Sequence, residues 1–206
     1  MLKPTGKRGR PREFDPKLAL AGASETFIRY GYSGASLDAL ARAMQLNKPS
    51  LYAAFGDKRS LYLLVLEERY RRVGVRYRAQ FDKGRTLEEA LRNVFEDAVE
   101  VCLGEGGPPG CPIASAAATE ALEDPEIGKA TRQFRVMSDK GIAGWIRSKI
   151  EPERASLADG IARLASGVLY DIALRARGGE SRAELRQLAR DAAQILAGAT
   201  GKKRKR

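Results

Sequence analysis

The chain has 206 residues, 43% of them hydrophobic, which bounds it to one or two domains with a real core. It carries a net charge of +11 and no histidine, so histidine metal sites, histidine general bases and Ser-His-Asp triads are excluded. It contains no phosphate loop, no metal-ligand cluster and no apolar run of the ~18 residues a membrane helix needs. No enzyme activity, cofactor, metal or membrane association is therefore expected.

The charge is unevenly placed. Residues 1–60 hold 11 Lys/Arg and 5 Asp/Glu, residues 202–206 are all Lys or Arg, and residues 61–201 hold 21 of each sign. A basic N-terminal region on a neutral body points to a polyanion docking at that region. The basic run at 202–206 reads equally as a second such contact or as a solubility tail. Two cysteines, Cys102 and Cys111, imply no disulfide framework. No apolar leader opens the chain, and the expected location is the cytoplasm.

Residues 1–13, rich in Lys, Arg, Gly and Pro, read as a mobile arm. Asp15-Pro16 starts the first helix, with Leu20, Ala23 and Phe27 on one face and Gly31 as its stop. Ser36 caps a second helix whose Leu37, Leu40, Ala41 and Met44 follow helical spacing. Asn47 caps a third, with Pro49 in its first turn and Leu51 and Phe55 facing inward. Gly56-Asp57 stops that helix and caps a longer one from Lys58. Thr86 with Glu89 forms a capping box for a helix reaching about Leu103, followed by the loop Gly104-Glu105-Gly106-Gly107-Pro108-Pro109-Gly110. A short helix is expected over 112–122, another from Asp124-Pro125 to about Ile150, and a third from near Ser156 to Arg177. Ser181 and Glu184 form a second capping box that opens a last helix to about Ala197. With no alternating strand pattern, the chain reads as all-α with about nine helices. The divisions are a basic arm 1–13, a head 14–60 whose second and third helices flank a tight turn in the layout of a helix-turn-helix DNA-binding domain, a helical body 61–200, which the resemblance described next implies is an effector-binding and dimerisation domain, and a basic tail 201–206.

From Gly9 to about Tyr70 the sequence resembles the TetR/AcrR family of dimeric transcriptional regulators. The resemblance rests on Gly9-Arg10-Pro11-Arg12, Ala23, Phe27, Gly31-Tyr32, Ser36-Leu37, Leu40-Ala41, Asn47-Lys48-Pro49-Ser50-Leu51-Tyr52 and Phe55-Gly56-Asp57-Lys58. It covers about a third of the chain; beyond it, Gly110-Cys111 opening the sixth helix is also similar. The resemblance implies a nine-helix homodimer whose first three helices bind DNA and whose last two form the dimer bundle. It also implies a small-molecule effector that enters the C-terminal domain and changes the spacing of the two DNA-binding heads. One departure is Gln45 in the turn, where the family usually has Gly. That position commonly needs a positive φ, and Gln there is expected to cost ~1 kcal/mol.

Lys48, Pro49 and Ser50 start the recognition helix, where side chains reach base edges. Tyr52 resembles the family's phosphate-clamping tyrosine. Lys58 and Ser36 lie at helix N-termini that favour phosphate, though Ser36 also reads simply as a cap and Tyr52 as core with a wet hydroxyl. Ala53 and Ala54 are small, so direct readout is thin and DNA shape carries more of it. Arg10 and Arg12, with Arg8, suit a narrow minor groove or non-specific phosphate attraction. Two stripes are candidates for the dimer seam: Leu157, Ile161, Leu164, Val168 and Ile172, then Leu185, Leu188, Ala192 and Ile195. The same stripes also read as burial within one chain. Tyr77, Phe81, Phe95, Phe134, Met137, Trp145 and Tyr170 are candidate lining for a pocket that takes an apolar or aromatic effector, and each alone reads equally as core.

The leading expectation is a repressor released from a palindromic operator by that effector. The alternatives are a regulator gated by a protein partner or by thiol oxidation, and a non-specific architectural DNA-binding protein.

Overall fold

Asp15 accepts a hydrogen bond from the Lys17 amide at 2.8 Å, and Pro16 opens α1, Pro16–Gly34. The computed structural model describes residues 14–104 and 108–201. Arg10, Arg12 and the run 202–206 lie outside the described residues. Within α1 the chain turns sharply at Gly31, whose φ of 71° interrupts the helical path where the sequence places a stop. Each short helix then starts on its expected cap. Ser36 accepts from Ala39 N (3.1 Å) to open α2, Leu37–Ala43, and Asn47 accepts from Ser50 N (2.8 Å) to open α3, Lys48–Phe55. Asp57 accepts from Ser60 N (2.7 Å) to open α4, Lys58–Lys83. These caps satisfy amides that would otherwise lack partners.

The remaining helices are α5, Leu87–Leu103; α6, Pro112–Thr119; α7, Pro125–Arg147; α8, Ala158–Gly178; and α9, Arg182–Gly198. Together they make nine α-helices and no strand among the described residues. Three local expectations need correction. At Thr86 the capping box is loose: the hydroxyl accepts from Glu89 N (3.1 Å), but the Glu89 carboxylate is engaged more by Arg85 N (2.9 Å) than by the N-cap amide. The helix expected to reach Ile150 ends at Arg147. The segment before α8 is a 3-10 helix, Pro152–Leu157, with no side-chain cap to announce it. At Ser181 the box closes in full.

Two apolar clusters organise the chain. One packs α1–α3 around Phe27, Leu40, Leu51 and Phe55, and it takes in Leu61, Tyr62, Val65 and Leu66 of α4 together with Ile113 and Ile127. The other runs through α4, α5, α7, α8 and α9. In the first, α1 crosses α2 so closely that a Cβ on Gly22 would collide with the Ala43 carbonyl. The N-terminal head is thus welded onto the body through α4, α6 and α7.

Candidate nucleic-acid interface and the cavity behind it

The turn between α2 and α3 sets the recognition helix. Gln45 N donates to Arg42 O (3.1 Å) and Leu46 N donates to Ala41 O (2.9 Å), the paired bonds of a Schellman C-cap. Such a cap needs its C′ residue in the left-handed region, and Gln45 sits there at φ 55°, the one non-glycine residue with positive φ among those described. The end of α8 repeats the same bond pattern, Gly179 N to Ala176 O and Glu180 N to Arg175 O, with Gly179 at φ 91°. One motif therefore occurs twice, once with its preferred residue and once without.

Beyond that turn, α3 presents Lys48, Pro49 and Tyr52 to solvent, with Ser50 half-buried beside them. Tyr52 is 46% exposed, so its ring is not core. Lys48 Nζ lies 2.8 Å from Asp38 of α2. Both groups are largely exposed, and such pairs contribute about 0–1 kcal/mol, so a stronger anion displaces the aspartate readily. The Ser36 hydroxyl is occupied as an acceptor by its cap and still has its own proton to donate. Lys58 is folded back, donating to Ser33 O at 3.3 Å with its ammonium 4.8 Å from the centre of the Tyr32 ring. Burial lowers its pKa below the usual lysine value. Lys58 is thus held against α1 at the capped start of α4.

Behind the head, polar contacts tie it to α6, α7 and α8. Arg59 Nε donates to Asp124 at 2.6 Å, Ser33 donates to Glu120 at 3.0 Å, and the Arg177 guanidinium donates to Ile28 O. Asp124 also caps α7 through the amides of Glu126 and Ile127. Phe27, Tyr32 and Tyr62 form an aromatic cluster at this junction, with ring centroids 4.6 to 6.4 Å apart. Burial pushes the Tyr62 hydroxyl well above its ordinary range.

A cavity of about 230 Å³ opens on the far side of that junction. Five expected residues line it: Tyr77, Phe134, Met137, Trp145 and Tyr170. Phe81 and Phe95 do not. Both are fully buried in the body core, Phe81 with its ring 5.8 Å from Trp145. Sequence reasoning missed Arg69, Val73, Cys102, Cys111, Ile113 and Leu169, which also line the cavity. Arg69 was legible in principle, because it falls in the buried register of α4 with Leu66, Val73 and Tyr77, where apolar residues are the rule. Burial raises the Cys102 thiol to about 12, which makes it a poor nucleophile.

The two expected seam stripes divide. Ile161, Ile172 and Leu185 are buried within their own chain, which corrects their assignment to an open seam. Val168, Leu188 and Ala192 are half-buried against the body core. Leu157, Leu164 and Ile195 are exposed at 42%, 63% and 71%, joined by Leu174. Among the described residues no helix is long and apolar enough to cross a membrane, and no cluster of side chains could hold a metal ion.

Comparison with known proteins agrees with this architecture. The family described as "Bacterial regulatory proteins, tetR family" matches residues 19–65, which span the head from α1 into α4. The HTH-type transcriptional regulator YezE of Bacillus subtilis is 30% identical over 146 residues, covering 70% of this chain and 75% of that protein. The HTH-type transcriptional repressor ComR of Escherichia coli is 27% identical over 188 residues, covering 88% and 89%. A cysteine-substituted form of the TetR family regulator CifR, solved with 26-base-pair double-strand operator DNA, superposes with a TM-score of 0.80 at 28% identity, covering 90% of this chain and 98% of that one. The chain belongs to the TetR family of transcriptional regulators, which are DNA-binding proteins and not enzymes.

Proposed function

We propose that the protein is a homodimeric repressor that grips a palindromic operator through α3 and releases it when a small molecule fills the cavity. The observation that carries this reading is the exposed start of α3, fixed by the Gln45 turn and joined through Arg59–Asp124 and Ser33–Glu120 to the helices that wall the cavity. Lys48 and Ser50 read base edges, Tyr52 and Ser36 hold phosphates, and Lys58 joins them once it leaves Tyr32. Arg10 and Arg12 supply a minor-groove or phosphate contact. Pro49 sets the entry angle of α3. The exposed Leu157, Leu164, Leu174 and Ile195 suit a two-fold interface between copies, which implies a two-fold operator. Operator DNA in the CifR structure and the repressor name of ComR support the assignment.

A ligand that spreads α4 from α7 would move the heads through these junction bonds and so bias the spacing between them. Selection of bound sites from random duplex DNA at near-physiological salt tests the proposal. An enriched palindrome supports it. Binding that tracks only salt, with no enriched site, moves the protein to the architectural reading.

A further inference from the structure

The cavity carries one buried charged group that the fold does not fully satisfy. Arg69 is 91% buried on α4, and its Nε has no hydrogen-bond partner. No carboxylate answers it: the residues lining the cavity include no Asp or Glu. On its other side Arg69 meets a second cavity of about 330 Å³, lined also by Arg72, Arg76, Arg182 and one acid, Glu100. Glu100 is already bound by Arg182 and Arg186, and Arg76 by Asp97 at 2.6 Å. A buried guanidinium nitrogen is costly to leave without a partner, and cations in such places are ordinarily matched by an anion. A second buried donor, Ser166 Oγ, lines the same cavity and also lacks a partner. Arg71, paired with Glu68, and Ser138 also line it; the remaining wall is mostly apolar and aromatic, with Tyr70 stacked on Phe134 (centroids 5.0 Å apart) and Trp145 also lining it.

We infer that the cavity binds an amphipathic organic acid, with its carboxylate paired to Arg69 and Ser166 and its apolar body against Phe134, Trp145 and Tyr170. Arginine presents a planar fork that fits a carboxylate in two-point contact, and the ring of arginines at the second cavity draws the anion toward that end. The inference rests on the effector-gated reading above and narrows its effector from apolar or aromatic to apolar with one negative head.

Trp145 is the chain's single tryptophan and lines the cavity, so its fluorescence reports occupancy directly. The full chain is titrated with benzoate, phenylacetate, phenylbutyrate and octanoate, and with the primary amide of each, with calorimetry as a second readout. The expected result is saturable binding of at least one acid, with its amide weaker by about 10- to 100-fold. Arg69→Met should abolish that preference while leaving the amide's affinity in place, and Arg69→Lys should keep part of it. The wild-type acid-against-amide comparison stands even if Arg69→Met fails to fold. Equal binding of acid and amide, acid binding unchanged by Arg69→Met, or no acid bound up to millimolar concentration would each overturn the inference. Operator release is measured separately. An acid that binds through Arg69 yet leaves operator affinity unchanged refutes effector gating and not the site.

Discussion

Replacing Gln45 with Gly should stabilise the protein, although no contact is gained. Gln45 is exposed, makes no side-chain hydrogen bond in the structure, and is held at φ 55° by the two backbone bonds of the α2 cap. An L-residue in the left-handed region costs about 1–2 kcal/mol. Glycine removes that strain and loses about 0.5–1 kcal/mol through its freer unfolded chain. The net gain is about 0.5–1 kcal/mol, which for a chain of this size raises Tm by about 1–4 °C. Thermal unfolding followed by circular dichroism, at one fixed protein concentration, measures it. Gln45→Ala is the control: it keeps the strained φ and should lie within about 0.5 kcal/mol of wild type. The reasoning is refuted if Gln45→Gly is no more stable than wild type, or if Gln45→Ala gains as much. Either result would mean the glutamine side chain compensates the turn in a way the geometry does not show.

Other expectations follow from the same geometry. Lys48→Ala should weaken binding to the selected operator by about 1–3 kcal/mol, whereas Tyr52→Phe should weaken all duplexes nearly equally, as read by fluorescence anisotropy on specific and scrambled DNA. Asp124→Ala removes both the α7 cap and the partner of Arg59, and it should cost about 1–2 kcal/mol at neutral pH in denaturant titration. Burial raises the Asp124 pKa, but hydrogen bonds from Ile127, Arg59 and Glu126 outweigh it and leave the carboxyl below its usual value. Its stabilisation is therefore complete above about pH 4 and fades as pH falls through the lower folded pKa, so wild type and Asp124→Ala should converge in acid. Leu164→Glu with Ile195→Glu should yield monomers in sedimentation without unfolding, since both side chains are exposed; a dimer that persists would place the interface elsewhere.

The helix starts were legible because each is written locally. An Asp, Ser, Asn or Thr cap competes for the first free amides wherever the chain lies, and Pro at the first helical position reinforces it. Asp15, Ser36, Asn47, Asp57 and Ser181 all act as their sequence context implies. The 3-10 helix at Pro152–Leu157 carries no such cap and left no local mark. Side-chain destinations were harder, because periodicity says which residues share a face and not what covers that face. Ile161 and Leu164 belong to one expected stripe, yet Ile161 faces its own core and Leu164 faces outward. Phe81 and Phe95 follow the same rule, since an aromatic beside a cavity and one behind its wall have the same spacing. Arg69 was passed over for a different reason: its register on α4 is the buried one, but a long cation on a helix ordinarily reads as a solvated face. Only the tertiary packing shows that its Nε is left without a partner and that the one acid near it, Glu100, is already bound by Arg182 and Arg186.

The central claim is that two copies of α3 read two half-sites together. Its most direct test compares affinity for a selected palindrome with affinity for one isolated half-site and for scrambled DNA, with stoichiometry read by sedimentation in the same buffer. The account predicts one protein dimer per palindrome, bound at least ~10³-fold tighter than scrambled DNA, and the half-site bound far more weakly. Equal affinity for all three duplexes, or one monomer bound per palindrome, would contradict it.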